Sequence, residues 1–176
     1  MGEITNLIEN FYIREATKED VPTILQFIRE LAKHEGLLEE VKASEDSLTE
    51  HLFGENPRAQ VIFGCIEDEP IAFALFFYNF STFEGKPGVY LEDLYVKPAH
   101  RGKGIGKIIL SYLAHLTLQI GGRRLEWCVH TWNTKAQAFY KAIGAKPQNR
   151  IILNRLDGNE LTDLASTFRK LPIGKA

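Results

Sequence analysis

Val89-Tyr-Leu-Glu-Asp-Leu-Tyr-Val96, Lys97-Pro-Ala-His100 and Arg101-Gly-Lys-Gly-Ile-Gly106-Lys107 follow one another without a gap, and their order decides the fold. The first run is rich in β-branched and aromatic residues and reads as a strand, which Pro98 stops. From Gly104 the period changes. Ile105, Ile109, Leu113, Leu116 and Ile120 recur at helical spacing until Gly121-Gly122 ends the run. A glycine-rich, basic turn therefore joins a strand to a helix start. There the glycines let backbone approach a ligand, and the free N–H groups and helix dipole favour an anion. Between Leu94 and Leu125 six Lys and Arg stand against no Asp or Glu, in a chain of net charge −2. A pyrophosphate fits that patch.

Two familiar phosphate loops are excluded by spacing. A P-loop would need Gly where Arg101 stands and Ser or Thr where Ile108 stands. The dinucleotide fingerprint fails because Gly102-x-Gly104 is followed by Lys107, and Gly104-x-Gly106 by Ile109.

Outward from this stretch the pattern stays mixed. Upstream, Phe11–Arg14 reads as a strand after an arm over residues 1–10. Thr17 opens a helix with Asp20 as capping-box partner, and Ser44 caps a second helix that ends near Gly54. Val61–Glu67 and Ile71–Phe80 flank the turn Glu67-Asp68-Glu69-Pro70, and Gly85–Gly88 turns into the central strand. Downstream come a strand Arg124–Val129, a helix Lys135–Ile143, a strand Ile151–Leu156 and a closing helix Asn159–Phe168. The order predicts one domain over residues 1–176, a mixed α/β sheet covered by helices on both faces.

Composition narrows the function. With 44% apolar and 25% charged residues the chain is an ordinary globular protein, and its charge argues against nucleic-acid binding. Cys65 and Cys128 sit in apolar runs and read as buried reduced thiols. The histidines at 34, 51, 100, 115 and 130 are scattered, with no metal-ligand spacing, so no metal is expected. The first residues carry acids where a signal peptide carries Lys or Arg, and no stretch has the length of a membrane span. The cytoplasm is the expected location.

Four motifs, Glu-Leu-Ala-Lys-His-Glu (30–35), Tyr-Leu-Glu-Asp-Leu-Tyr-Val (90–96), Arg-Gly-Lys-Gly-Ile-Gly (101–106) and Trp-Asn…Ala-Phe-Tyr-Lys (132–141), together resemble the GNAT (GCN5-related) N-acetyltransferase superfamily. The resemblance runs from Ile13 to Gly144 and is closest to the diamine (spermidine/spermine) and thialysine N-acetyltransferases. It implies a mostly antiparallel sheet in which two parallel strands splay into a V, and acetyl-CoA as co-substrate. It also implies a small cationic amine as acceptor and a homodimer. Backbone at Leu94, Tyr95 and Val96 would take the pantetheine arm as an added strand. Arg101, Gly102, Lys103, Gly104, Ile105, Gly106 and Lys107 would hold the pyrophosphate. Asn133, Thr134, Lys135 and Ala136 would line the cofactor at the next helix start.

Chemistry then needs a proton acceptor for the amine and a donor for the leaving thiolate. By the same resemblance Tyr140 is the donor, although Phe139-Tyr140 also reads as the aromatic face of a helix. Glu92 and Asp93 stand on one strand and point to opposite faces by alternation. Glu92 is the expected base and ammonium contact, with Asp93 the second candidate. Glu35–Glu50 holds six acids against one lysine, most simply a solvated face. His34 and Glu35 fall where the family contacts substrate, and Glu126, Trp127 and Cys128 fall on the matching substrate strand. The chain departs from the polyamine enzymes at 146–153, Lys-Pro-Gln-Asn-Arg-Ile-Ile-Leu, which lacks their acidic residue and tryptophan. That leaves room for a short diamine or an amino acid with a side-chain amine. A protein-lysine or N-terminal acetyltransferase and a non-catalytic acyl-CoA-binding module are the competing readings.

Overall fold

A computed structural model of the chain describes residues 9–168. The expected N-terminal arm lies outside them except for a turn at residues 9 and 10. The chain divides after Thr134 into two compact units.

The first unit is built on a five-stranded sheet in sequence order: β1 (Phe11–Glu15), β2 (Gln60–Ile66), β3 (Glu69–Ser81), β4 (Lys86–Val96) and β5 (Leu125–Trp127). All neighbouring pairs are antiparallel except β4 and β5, which are parallel. Side chains alternate across the sheet and divide the core. Val61, Phe63, Cys65 and Phe73 face α1 (Val21–Glu35) and α2 (Glu45–Phe53). Phe27 of α1 stacks on Phe73, with ring centroids 5.3 Å apart, and meets Tyr95 of β4 edge-on at 6.0 Å. Ile62, Ala72 and Ala74 are buried on the opposite face, where Ile105, Ile109 and Leu113 line the inner stripe of α3 (Ile105–Gln119).

The sequence signals for the helix starts are met. A short 3₁₀ turn, Lys18–Asp20, precedes α1, and the Asp20 carboxylate accepts the Thr17 N–H at 2.8 Å. Arg14 binds the same carboxylate at 2.7 Å and holds its pKa down to about 2. Ser44 Oγ accepts the Ser47 N–H at the start of α2.

Four expectations need correction. The β2–β3 turn is only Glu67-Asp68, both at positive φ, so Glu69 and Pro70 already belong to β3. Gly85–Gly88 is not a turn before the strand. β4 starts at Lys86, and Gly88 lies inside it, at a place where a Cβ would collide with Asn79 Oδ1. β5 covers only Leu125–Trp127, so Cys128 lies beyond the strand and is exposed, while Cys65 is buried as expected. Ile151–Leu156 forms no strand. Its apolar side chains are exposed, and it pairs with no described strand. An apolar run becomes a strand only where a ladder partner satisfies its backbone.

The second unit, from Lys135, holds the body of α4 (Thr134–Ala142), which Gly144 ends at φ 94, and α5 (Gly158–Ser166). No described helix is long and apolar enough to cross a membrane.

Candidate active site

β5 stays beside β4 for three registered pairs, Val89↔Leu125, Tyr90↔Glu126 and Leu91↔Trp127, and then ends. β4 runs on to Val96 with β3 alone. Among the described residues the sheet is therefore open on one side of residues 92–96, as a V between two parallel strands requires.

Glu92 sits at the point of opening and changes the phase of the strand. Leu75 pairs with Asp93 and Phe76 with Leu91, so Glu92 is the extra residue of a β-bulge. Backbone bonds on either side show the consequence. Val89 N–H points to β5, donating to the Arg124 carbonyl at 3.0 Å, whereas Lys97 N–H points to β3, donating to the Ile71 carbonyl at 2.9 Å. Strict alternation would give these two odd-numbered residues the same direction. The bulge inverts it, so Leu94 and Val96 turn their backbone groups to the open side. An extended arm can pair there as an added strand.

The basic turn continues from that edge. Arg101 donates its Nε–H to the Val96 carbonyl at 2.8 Å, and its guanidinium lies 5.1 Å above the Tyr95 ring. Tyr95 is buried, and that burial raises its pKa. Gly104 caps α3 at φ 85, and its carbonyl accepts the Ile108 N–H at 3.1 Å. The N–H groups at the start of α3 therefore have no partner within the helix, and no acid occupies its first turn. Arg101, Gly102, Lys103, Gly104 and Lys107 are exposed, Gly106 is partly so, and Ile105 is anchored in the core. The donor set, three cations around unpaired N–H groups, suits a pyrophosphate.

Carboxylates gather behind the bulge. Asp93 is partly buried, and its pKa is pushed up to about 6, first by burial and then by the charges of Glu92 and Glu35. Glu92 is exposed. Glu35 closes α1, and the Nε2 of His130 lies 3.6 Å from its carboxylate. Exposed His34 lines a cleft at the end of α1 together with Glu30, Lys33, Tyr95, Lys97 and Arg101. One expected substrate residue, His34, thus lies beside the expected cofactor residues Tyr95 and Arg101.

The substrate strand is arranged differently from the expectation. Glu126 accepts a hydrogen bond from Asn79 Nδ2 at 3.0 Å and an ion pair from Arg124 at 3.2 Å. Its carboxylate is engaged in bracing β3 and β5. Tyr90 donates its hydroxyl to Cys128 Sγ at 3.1 Å, which raises the phenol pKa. Trp127 is partly buried at the end of β5. Past it, Asn133 N–H closes on the His130 carbonyl at 3.0 Å, and Thr134 starts α4. Lys135, Ala136 and Tyr140 follow in the second unit, where the Tyr140 and Phe139 rings lie 5.3 Å apart. Sequence reasoning missed His130. Its signal was its place beside Trp132, on which it stacks at 5.4 Å, but its partner is far away in sequence.

The comparisons agree with this geometry. The Acetyltransferase (GNAT) family matches residues 23–145. A thialysine N-epsilon-acetyltransferase of Bos taurus is 39% identical over 142 residues, covering 76% of this chain and 83% of its own. An L-ornithine N5-acetyltransferase of Arabidopsis thaliana is 30% identical and covers 85% of each chain. An integron cassette protein from the mobile metagenome of V. cholerae superposes with a TM-score of 0.77 at 27% identity, over 91% of this chain and all of that one. The resemblance to the thialysine enzymes is borne out, as is the splayed mixed sheet, and the chain belongs to the GNAT family of N-acetyltransferases.

Proposed function

We propose that this protein transfers the acetyl group of acetyl-CoA to the terminal primary amine of a small cationic molecule, foremost an amino acid with a side-chain amine. The observation that carries the reading is the carboxylate group Glu35, Glu92 and Asp93 set behind the open half of β4. The thialysine and ornithine acetyltransferases among its relatives support the acceptor class.

Each residue has a task. The backbone of Leu94 and Val96 receives the pantetheine arm, and Arg101 to Lys107 bind the pyrophosphate. Acetyl-CoA supplies the activated acyl group and a thiolate leaving group. Glu92 draws in the ammonium by its charge, aided by the last carbonyls of α1, where a cation is favoured. An amine near pKa ~10.4 must lose a proton before it can attack. A carboxyl poised at about 6 is a better acceptor for it than one at the ordinary value, which points to Asp93 assisted by Glu92. Tyr140 is assigned as donor to the thiolate from its place in the Trp132-Asn133…Phe139-Tyr140 pattern. The protein is further proposed to be a homodimer, which sedimentation at micromolar concentration tests.

Acceptor class is tested by comparing kcat/KM for thialysine, ornithine, putrescine, spermidine and a histone-tail peptide. The small amines should exceed the peptide by at least ~10-fold, about 1.4 kcal/mol of transition-state discrimination. A preference for the peptide would overturn the reading.

A further inference from the structure

An imidazole faces one of the carboxylates of the proposed acceptor site. Glu35 is the last residue of α1, where the helix dipole disfavours an anion. Its carboxylate is held all the same, only 25% exposed, with His130 Nε2 at 3.6 Å. His130 is placed for that contact. Its ring lies almost parallel to the Trp132 indole, at 18° and 5.4 Å, and its carbonyl accepts the Asn133 N–H at the turn into α4. Glu35 is also close enough to Asp93 to affect its titration, as Glu92 is. Three carboxylates thus share one neighbourhood, and one of them faces an imidazole that is its counter-ion when protonated.

We propose that His130 is a specificity-determining residue: its protonated imidazole, facing Glu35, lowers the negative charge offered to the acceptor, so the site favours an amine of one net positive charge over a dication. The inference rests on the acceptor site proposed above. An ammonium group is drawn to the carboxylates that remain, Glu92 and Asp93. A second ammonium would have to displace the imidazole from Glu35 or stay in solvent, and either costs affinity. A molecule whose far end carries both an ammonium and a carboxylate has no such charge to satisfy. His130 thereby sorts ω-amino acids from diamines of equal length without touching the reacting amine.

Lysine and 1,5-diaminopentane are the matched probes, since they differ only in the carboxylate. In the whole 176-residue chain His130→Ala should raise the kcat/KM ratio of the diamine to lysine about two- to five-fold, the fold-change of a half-exposed ion pair, and do so through KM. His130→Lys should keep a ratio close to wild type, because it restores a cation facing Glu35. His130→Gln serves as a second neutral variant should the alanine disturb the loop, with the same increase expected. In a Glu35→Gln background His130→Ala should leave the ratio unchanged. An unchanged ratio in the folded neutral variants overturns the inference. So does an effect that persists in Glu35→Gln, which would place His130 on the carboxylate of the amino acid. Wild-type protein that acetylates neither probe overturns the acceptor reading itself and this inference with it, and is distinguishable from the other results.

Discussion

Arg101 Nε donates to the carbonyl oxygen of Val96 at 2.8 Å, so the first cation of the basic turn is fastened to the last residue of the open strand. One side chain links the edge that receives an extended arm to the turn that receives phosphates. Its position above the Tyr95 ring fixes the guanidinium plane as well. Lysine has neither the Nε donor nor the flat face. Arg101→Lys is therefore expected to recover only part of what Arg101→Ala loses. Calorimetry should show acetyl-CoA affinity falling ~10-fold or more for Arg101→Ala, with a weaker salt dependence than wild type. Equal affinities for wild type and Arg101→Lys would leave the residue as a simple point charge.

Gly104 is needed for its backbone rather than for space. At φ 85 nothing lies within 4 Å of a Cβ built there. Gly104→Val must pay for left-handed backbone, ~1–2 kcal/mol or more for a β-branched side chain, or reshape the start of α3. Asn tolerates this conformation better, so Gly104→Asn should bind acetyl-CoA more tightly than Gly104→Val. Identical binding by all three proteins would show that the turn does not hold the cofactor.

Asp93 and Glu92 should separate by pH. Burial, Glu92 and Glu35 raise the Asp93 pKa to about 6, so the folded protein binds a proton between about pH 4 and 6 that the unfolded chain does not. That carboxyl thus costs stability as pH rises through this window. Asp93→Asn should be more stable than wild type at pH 7, on the order of 2 kcal/mol, with the gain gone below about pH 4. Its turnover should fall ~10²–10⁴-fold. Glu92→Gln should instead raise the amine KM and move the acidic limb of the rate profile downward, because one cause of the raised Asp93 pKa is removed. Denaturant melts and pH–rate profiles of both variants check this. A Glu92→Gln profile with an unmoved limb would detach Asp93 from the proton transfer.

Tyr140→Phe keeps the ring and removes only the hydroxyl. The melting temperature and acetyl-CoA affinity should survive while turnover falls ~10²–10⁴-fold. Full turnover, in a step shown to be limited by chemistry, would make Tyr140 a packing residue.

Local signals in the sequence were reliable where local chemistry decides structure. Thr17 with Asp20, Ser44 with Ser47, and the glycines around α3 act over three or four residues, and the helices begin and end where these residues place them. The strands were harder. Pro87 and Gly88 look like a turn, but their strand place is set by Asn79 and Arg124 packed against Gly88. The apolar run that opens Ile151–Leu156 carries no information about whether a partner strand is present. The same limit applies to the site. The basic turn was legible because it is contiguous. The bulge at Glu92 was not, since only the pairing with Leu75 and Phe76 reveals the extra residue. Nor were the bracing of Glu126 by Asn79 and the seating of His130 on Glu35, which join residues from distant elements.

Acetyl transfer itself is the most direct test. Purified protein, acetyl-CoA and thialysine are mixed, and released thiol is measured against acetylated amine by mass spectrometry. The account expects one thiol released for each acetyl group found on the terminal amine. Acetyl-CoA that binds but yields no acetylated product with thialysine, ornithine, diamines or peptide would contradict it and leave a non-catalytic acyl-CoA-binding module.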